Sequence, residues 1–219
     1  MSDLTTAPVH TPIDPAILYF GTPVALLSTV DPSGHPNVAP MSSVFWLSHT
    51  AVLGLGARSQ TALNLRATGE CVINLPSVDQ VDAVDRLALT TGREPVPARK
   101  AAAGYRYERD KFRRAGLTPV AAETVAPPRV RECPVHLEGR LTAAHELGGD
   151  DPASAGRLTA FEVAVTRVHV RDDLRLPGHA HRVDPDRWRP LVMSFQQFYG
   201  LGPRVQPSRL ARIDEEWYR

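Results

Sequence analysis

From Thr22 to Leu75 the chain commits to a strand-rich fold interrupted by one short helix: TPVALLSTVDPSGHPNVAPMSSVFWLSHTAVLGLGARSQTALNLRATGECVINL. Pro23 to Val30 is mostly apolar or β-branched from Val24 onward, and Asp31-Pro32-Ser33-Gly34 has the composition of a turn, with proline second and glycine fourth. Asn37–Leu47 and Ala51–Leu55 follow as strands, so a three-stranded antiparallel meander is predicted. Ser59 caps a predicted helix of about two turns that stops before Gly69, and Cys71–Leu75 returns as a strand.

The start of that helix carries Arg58, Ser59, Gln60 and Thr61. Backbone N–H groups are unpaired at a helix start, the dipole favours negative charge, and arginine binds phosphate bidentately. The stretch before it, Pro40-Met41-Ser42-Ser43-Val44-Phe45-Trp46, offers an apolar wall with hydroxyls. A phosphate site beside a flat wall points to a phosphorylated planar cofactor. The competing reading is structural: Ser59 and Thr61 cap the helix and nothing more. Phe45 and Trp46 alternate faces of a strand, so one of them is expected in the core.

The chain has 219 residues, enough for one domain with arms. Its 20 prolines favour strands and loops over a helical bundle, because proline breaks regular structure internally. A formal net charge of +1 gives no electrostatic case for nucleic acid or a membrane surface. No apolar run approaches the roughly 20 residues of a membrane span, and the first residues lack the pattern of a signal peptide. A cytoplasmic protein is the expectation. Cys71 and Cys133 fit no metal or redox spacing, and the histidines show no ligand pattern, so no metal is expected.

Elsewhere, residues 1–14 read as an arm, and Pro15–Phe20 as one helical turn capped by Asp14. Asp79–Leu89 has one apolar helical face, Thr90–Ala101 is irregular, and Tyr105–Ala115 reads as a helix ended by Gly116. Val135–His145 and Leu158–Val170 are predicted as two longer strands. Trp188–Leu201 fits a strand or a short helix, and 203–219 is a polar extension with a helical option over Ser208–Trp217. The basic run from Arg99 to Arg114 is interrupted by Glu108 and Asp110, as on a solvated helix face. The fold class is therefore mainly β, a closed or half-closed antiparallel barrel with helical additions.

Several fragments, in order, resemble the flavin reductase-like proteins of the FMN-binding split-barrel superfamily. They include Asn37-Val38-Ala39-Pro40-Met41-Ser42, Arg58-Ser59-Gln60-Thr61, Val72-Ile73-Asn74-Leu75, Lys111-Phe112, Glu132-Cys133-Pro134-Val135 with Leu137-Glu138, and Tyr199-Gly200-Leu201. The resemblance covers about residues 20–202 and implies an antiparallel, Greek-key-like split barrel over 15–202. It implies a homodimer that binds FMN, or FAD in some members, without a covalent link, and takes hydride from NAD(P)H. Carried over residue by residue, the flavin ring would lie along Asn37, Ala39, Pro40, Met41, Ser42, Ser43 and Val44. The phosphate would be held by Ser48, Arg58, Ser59, Gln60 and Thr61, with Tyr199 approaching from the C-terminal part. No catalytic side chain is implied, because the flavin carries the chemistry.

Short flavin reductases of two-component monooxygenases carry a Gly-Asp-His motif; here Gly149-Asp150-Asp151 stands without the histidine. A flavin-binding electron carrier without catalysis is therefore a second reading. A split barrel holding deazaflavin or haem is a third.

Overall fold

A computed structural model of the chain describes residues 8–152 and 154–218. The predicted arm at 1–14 thus lies partly outside the described residues; 8–14 have no regular structure. The strands, in chain order, are β1 (Phe20–Pro23), β2 (Ala25–Val30), β3 (Pro36–Met41), β4 (Val44–Leu47), β5 (Thr50–Gly56) and β6 (Glu70–Leu75), with helix α1 (Gln60–Thr68) between the last two. Then come α2 (Val81–Arg86), β7 (Thr90–Thr91), α3 (Ala98–Ala102), β8 (Arg106–Tyr107), α4 (Lys111–Ala115), β9 (Pro119–Val120) and β10 (Arg129–Val130). Two strands of 13 residues, β11 (Val135–Leu147) and β12 (Leu158–Val170), precede the hairpin β13 (Leu191–Ser194) and β14 (Gln197–Gly200).

Seven strands form one antiparallel sheet in the order β3-β2-β6-β11-β12-β5-β4. Its two edge strands, β3 and β4, are joined by Ser42 and Ser43 alone. Laid flat, seven strands would be about 29 Å across, yet the three-residue step from Met41 to Val44 spans at most about 11 Å. The sheet must therefore curl until its edges nearly meet, which makes it a barrel split at Ser42–Ser43. The predicted meander is corrected on this point. Asn37–Leu47 is not one strand: it leaves β2 at Met41 and joins β5 from Val44, across the seam.

Alternation along the strands fills both faces of the sheet. Ala25, Leu27, Val44, Leu53, Ile73 and Phe161 share one cluster with Ala62 and Leu65 of α1. Because that cluster draws on strands from both edges, it is the barrel interior. Leu26 and Val38 face the other way and pack with Ala83, Val84 and Leu87 and with Phe112 and Ala115 of α4. All six residues of β2 are buried, since it is covered on both faces. Buried Asn74 ties the layers together: its amide donates to Leu26 O at 2.9 Å and to Ser28 Oγ at 3.0 Å, while its carbonyl accepts from Val130 N at 2.8 Å.

Several local expectations change. Pro15–Phe20 is not helical: an isolated turn is costly to nucleate, and β1 gains a ladder with β13 instead. Of Tyr105–Ala115 only Lys111–Ala115 is helical. Asp110 accepts from Arg113 N and starts the helix there, while Arg106–Tyr107 pairs with Thr90–Thr91. Trp188–Leu201 resolves as the β13–β14 hairpin, and the C-terminal part carries two 3₁₀ turns, Arg209–Arg212 and Glu215–Tyr218. No helix among the described residues is long and apolar enough to cross a membrane.

Candidate functional site

A cleft of about 650 Å³ lies where the barrel seam, the start of α1 and the β1–β13–β14 sheet converge. One wall is Ala39, Pro40, Met41, Ser42 and Ser43, at the end of β3 and across the seam. Gly54 stands beside it: its N–H donates to Ser43 O at 2.8 Å, and a Cβ there would lie 3.0 Å from Ser43 Cβ. Tyr19 joins this wall through a 3.2 Å hydroxyl contact with Ser43 Oγ. Val24, Leu87, Met193 and Phe198 supply apolar lining.

The start of α1 forms the polar end. Ser59 is the N-cap, its Oγ accepting from Ala62 N at 3.2 Å. The amides of Gln60 and Thr61 have no acceptor within the helix, and both residues line the cleft. A buried polar network fixes this turn against the barrel. Asn37 Nδ2 donates to Thr61 Oγ1 at 3.2 Å, Asn64 Nδ2 to Thr29 Oγ1 at 3.1 Å, and Gln60 Nε2 to Asn64 Oδ1 at 2.7 Å. Because Thr61 Oγ1 accepts from Asn37, its own hydroxyl proton remains free to donate. Gly92 closes the arrangement, since a Cβ there would sit 2.9 Å from Asn37 Oδ1 and 3.1 Å from Gln60 Cγ.

The structure brings together eight of the residues singled out in the sequence: Ala39, Pro40, Met41, Ser42, Ser43, Ser59, Gln60 and Thr61. Asn37 sits behind them as a strut for α1. Val44 is buried in the barrel interior. Arg58 is exposed, one residue outside the cap, and does not line the cleft. Ser48 is the left-handed residue (φ +51°) of the Ser48–His49 turn between β4 and β5. The seven residues of β5 separate it from the α1 start by about 20 Å, so the fold of the chain does not bring them together. Tyr199 is exposed on β14, and its neighbour Phe198 takes the position facing the cleft.

The opposite wall was not visible as a site in the sequence. It consists of Leu87 to Gly92, with Lys100, Tyr105 and Lys111. Lys111 departs from the expected solvated face, being only 4% exposed. Burial, and then the charge of Lys100, push its ammonium pKa down to about 8 against the opposing pull of Glu108. The Lys111-Phe112 pair was the one available signal, and it gave no position. Among the described residues no cluster of three metal-ligating side chains occurs.

Comparison with known proteins agrees with this architecture. The family model described as the flavin reductase like domain matches residues 17–202. The uncharacterized protein YdfE of Bacillus subtilis strain 168 is 33% identical over 193 residues, covering 88% of this chain and 90% of that protein. Among solved structures, flavoredoxin of Desulfovibrio vulgaris (Miyazaki F) superposes with a TM-score of 0.74 at 21% identity, covering 93% of this chain and all of that one. Nitrilotriacetate monooxygenase component B of Bacillus cereus gives 0.71 at 20% identity, covering 92% and 100%. The chain belongs to the flavin reductase-like family, and its fold is the split barrel of that family's FMN-binding domains.

Proposed function

We propose that the protein is an oxidoreductase that binds FMN in this cleft, accepts hydride from NAD(P)H, and passes electrons to a further acceptor. The observation that carries the reading is the meeting of the free Gln60 and Thr61 amides with the flat Ala39–Ser43 wall in one open cleft. The residues fit a phosphorylated flavin. The cleft volume lies within the about 300–1,000 Å³ of small-molecule sites, and its polar end offers the α1 backbone amides and the Thr61 hydroxyl as donors to a phosphate. The bound flavin would supply the hydride acceptor and electron relay. The chain would supply the rest: α1 and Thr61 would hold the phosphate, the exposed Arg58 would add a positive charge at that end, and the Met41–Ser43 wall would support one ring face. The Ser42 and Ser43 hydroxyls would offer hydrogen bonds to the ring edge where reduction builds negative charge.

Mixing the protein with FMN and NADH or NADPH under nitrogen should bleach the flavin absorbance within seconds. Persistence of the oxidised spectrum with both nicotinamides would contradict the enzymatic reading. In that event the electron-carrier reading takes over. It is favoured by Gly149-Asp150-Asp151 lacking a histidine and by the likeness to a flavoredoxin.

A homodimer belongs to the same proposal. Leu18, Phe20, Phe195, Tyr199 and Leu201 are all exposed, and the Phe20 and Phe195 rings stack edge to face at 4.7 Å. Such an apolar cluster beside the cleft suits burial against a second copy. Sedimentation at micromolar concentration should return twice the 23.9 kDa chain mass; a single-chain mass would refute the dimer.

A further inference from the structure

A second cavity, of about 250 Å³, adjoins the cleft at the start of α1: Gln60 and Gly92 line both. Its other walls are the turn between β2 and β3, the Glu94 stretch, and Tyr107–Arg109. Pairing of β7 with β8 sets Tyr107 opposite Thr91, next to Gly92, and His35 Nε2 meets Arg109 O at 3.2 Å to join the turn to that segment. Three carboxylates line the cavity, and two are already engaged. Asp31 Oδ1 accepts from Ser33 N at 2.9 Å, Ser33 Oγ at 2.6 Å and His35 N at 3.0 Å within its own turn. Glu108 Oε1 accepts from Asp110 N at 2.9 Å. Glu94 is exposed and makes no hydrogen bond or ion pair among the described residues.

That acidic lining disfavours a phosphate inside the cavity, while a free carboxylate is a good acceptor for the neighbouring hydroxyls of a ribose. Tyr107 is 38% exposed and leaves an aromatic face for a planar base. Arg109 is exposed and in no ion pair among the described residues, so its guanidinium is available to an oxyanion at the cavity rim. We propose that this cavity takes the adenosine end of a flavin dinucleotide whose flavin-side phosphate rests at the α1 start, so that the protein holds FAD more tightly than FMN. Tyr107 stacks on the base, Glu94 accepts from the ribose hydroxyls, and Arg109 serves the second phosphate. The flavin half of this assignment rests on the function proposed above; the affinity of the cavity for adenosine does not.

Calorimetric titration of FAD, FMN and adenosine tests it. FAD should bind the wild-type protein about tenfold more tightly than FMN, and Tyr107→Ala should bring FAD to the FMN level while leaving FMN itself unchanged. Tyr107→Phe keeps the ring and should keep the difference, which separates stacking from damage to the β7–β8 pair. Adenosine at about ten times its dissociation constant should weaken FAD binding about tenfold and leave FMN binding untouched. Equal affinities for FAD and FMN, or a preference for FAD that survives Tyr107→Ala, would overturn the assignment. Competition of adenosine with FMN would also overturn it, by placing the nucleoside in the main cleft. A dependence on Tyr107 seen for NADH on FMN-saturated protein, and absent for FAD, would overturn it in favour of the nicotinamide donor. Adenosine binding that is lost in Tyr107→Ala, with no binding of either flavin, would sink the flavin reading and leave the nucleoside cavity standing.

Discussion

Replacing Ser59 and Thr61 together by alanine should weaken FMN binding about a hundredfold or more while leaving riboflavin binding nearly unchanged, because each lost hydrogen bond to a charged group is worth about 1.5–3 kcal/mol. Thr61 loses a hydroxyl whose lone pair is already engaged by Asn37 Nδ2 and whose proton is therefore aimed elsewhere. Ser59 loses the oxygen that accepts from Ala62 N, so the first turn of α1 also loosens, at about 1 kcal/mol for a missing cap. Riboflavin has the same ring without the phosphate, so it separates loss of the anion site from general damage to the cleft. Fluorescence titration of both ligands against wild type and variant measures the difference. Equal losses for FMN and riboflavin, or none for either, would place the phosphate away from α1.

The second large effect concerns stability. Glu138 lies on β11 with a fully buried side chain, between the sheet and the 121–128 segment. Its carboxylate accepts from Glu123 N at 2.9 Å, from Thr124 N and Thr124 Oγ1 at 2.7 Å each, and from His169 Nε2 at 2.8 Å; Arg129 Nε lies 3.9 Å away. Burial alone would raise its pKa, but these donors outweigh burial and hold it down to about 2, from an ordinary 4.5. The native state therefore prefers the charged form more strongly than the unfolded chain does. That preference contributes about 3 kcal/mol, fully present above pH 4.5 and lost as pH falls from there towards 2.

Glu138→Gln turns an acceptor oxygen into a donor facing donors. It should cost about 3 kcal/mol at pH 7, lowering the melting temperature by about 6–12 °C for a chain of this size. The variant should also lose most of the steep destabilisation of wild type between pH 4.5 and 2. Urea unfolding at a series of pH values measures both; an unchanged acid limb in the variant would show that another group controls it.

Local signals in the sequence carried the pieces, and long-range pairing decided how they join. Ser59 and Gly69 bracket α1 as the sequence implies, because a cap hydroxyl and a left-handed glycine act within a few residues of themselves. The two long strands were legible for the same reason: alternation over 13 residues is a local pattern. Asn37–Leu47 was misread as one strand because its exchange of β2 for β5 depends on the whole sheet closing on itself.

The site divides along the same line. Ala39–Ser43 and Ser59–Thr61 are contiguous runs with evident chemistry. Asn37 was given as a ring contact only by the family resemblance, and its hydrogen bond to Thr61 adds the role of a strut for α1. Lys111 sits in a run that reads as solvated, because nothing local tells that α4 is pressed onto the outer layer through Phe112 and Ala115. Phe198 and Tyr199 trade places for a smaller reason: one step along a strand reverses the face.

A crystal structure of the protein soaked with FMN bears most directly on the account. The FMN phosphate is expected within hydrogen-bonding distance of the Gln60 and Thr61 amides and the Thr61 hydroxyl, with the ring against Met41–Ser43. A phosphate bound at Lys111 and Lys100 instead, with the α1 start facing only water, would contradict it.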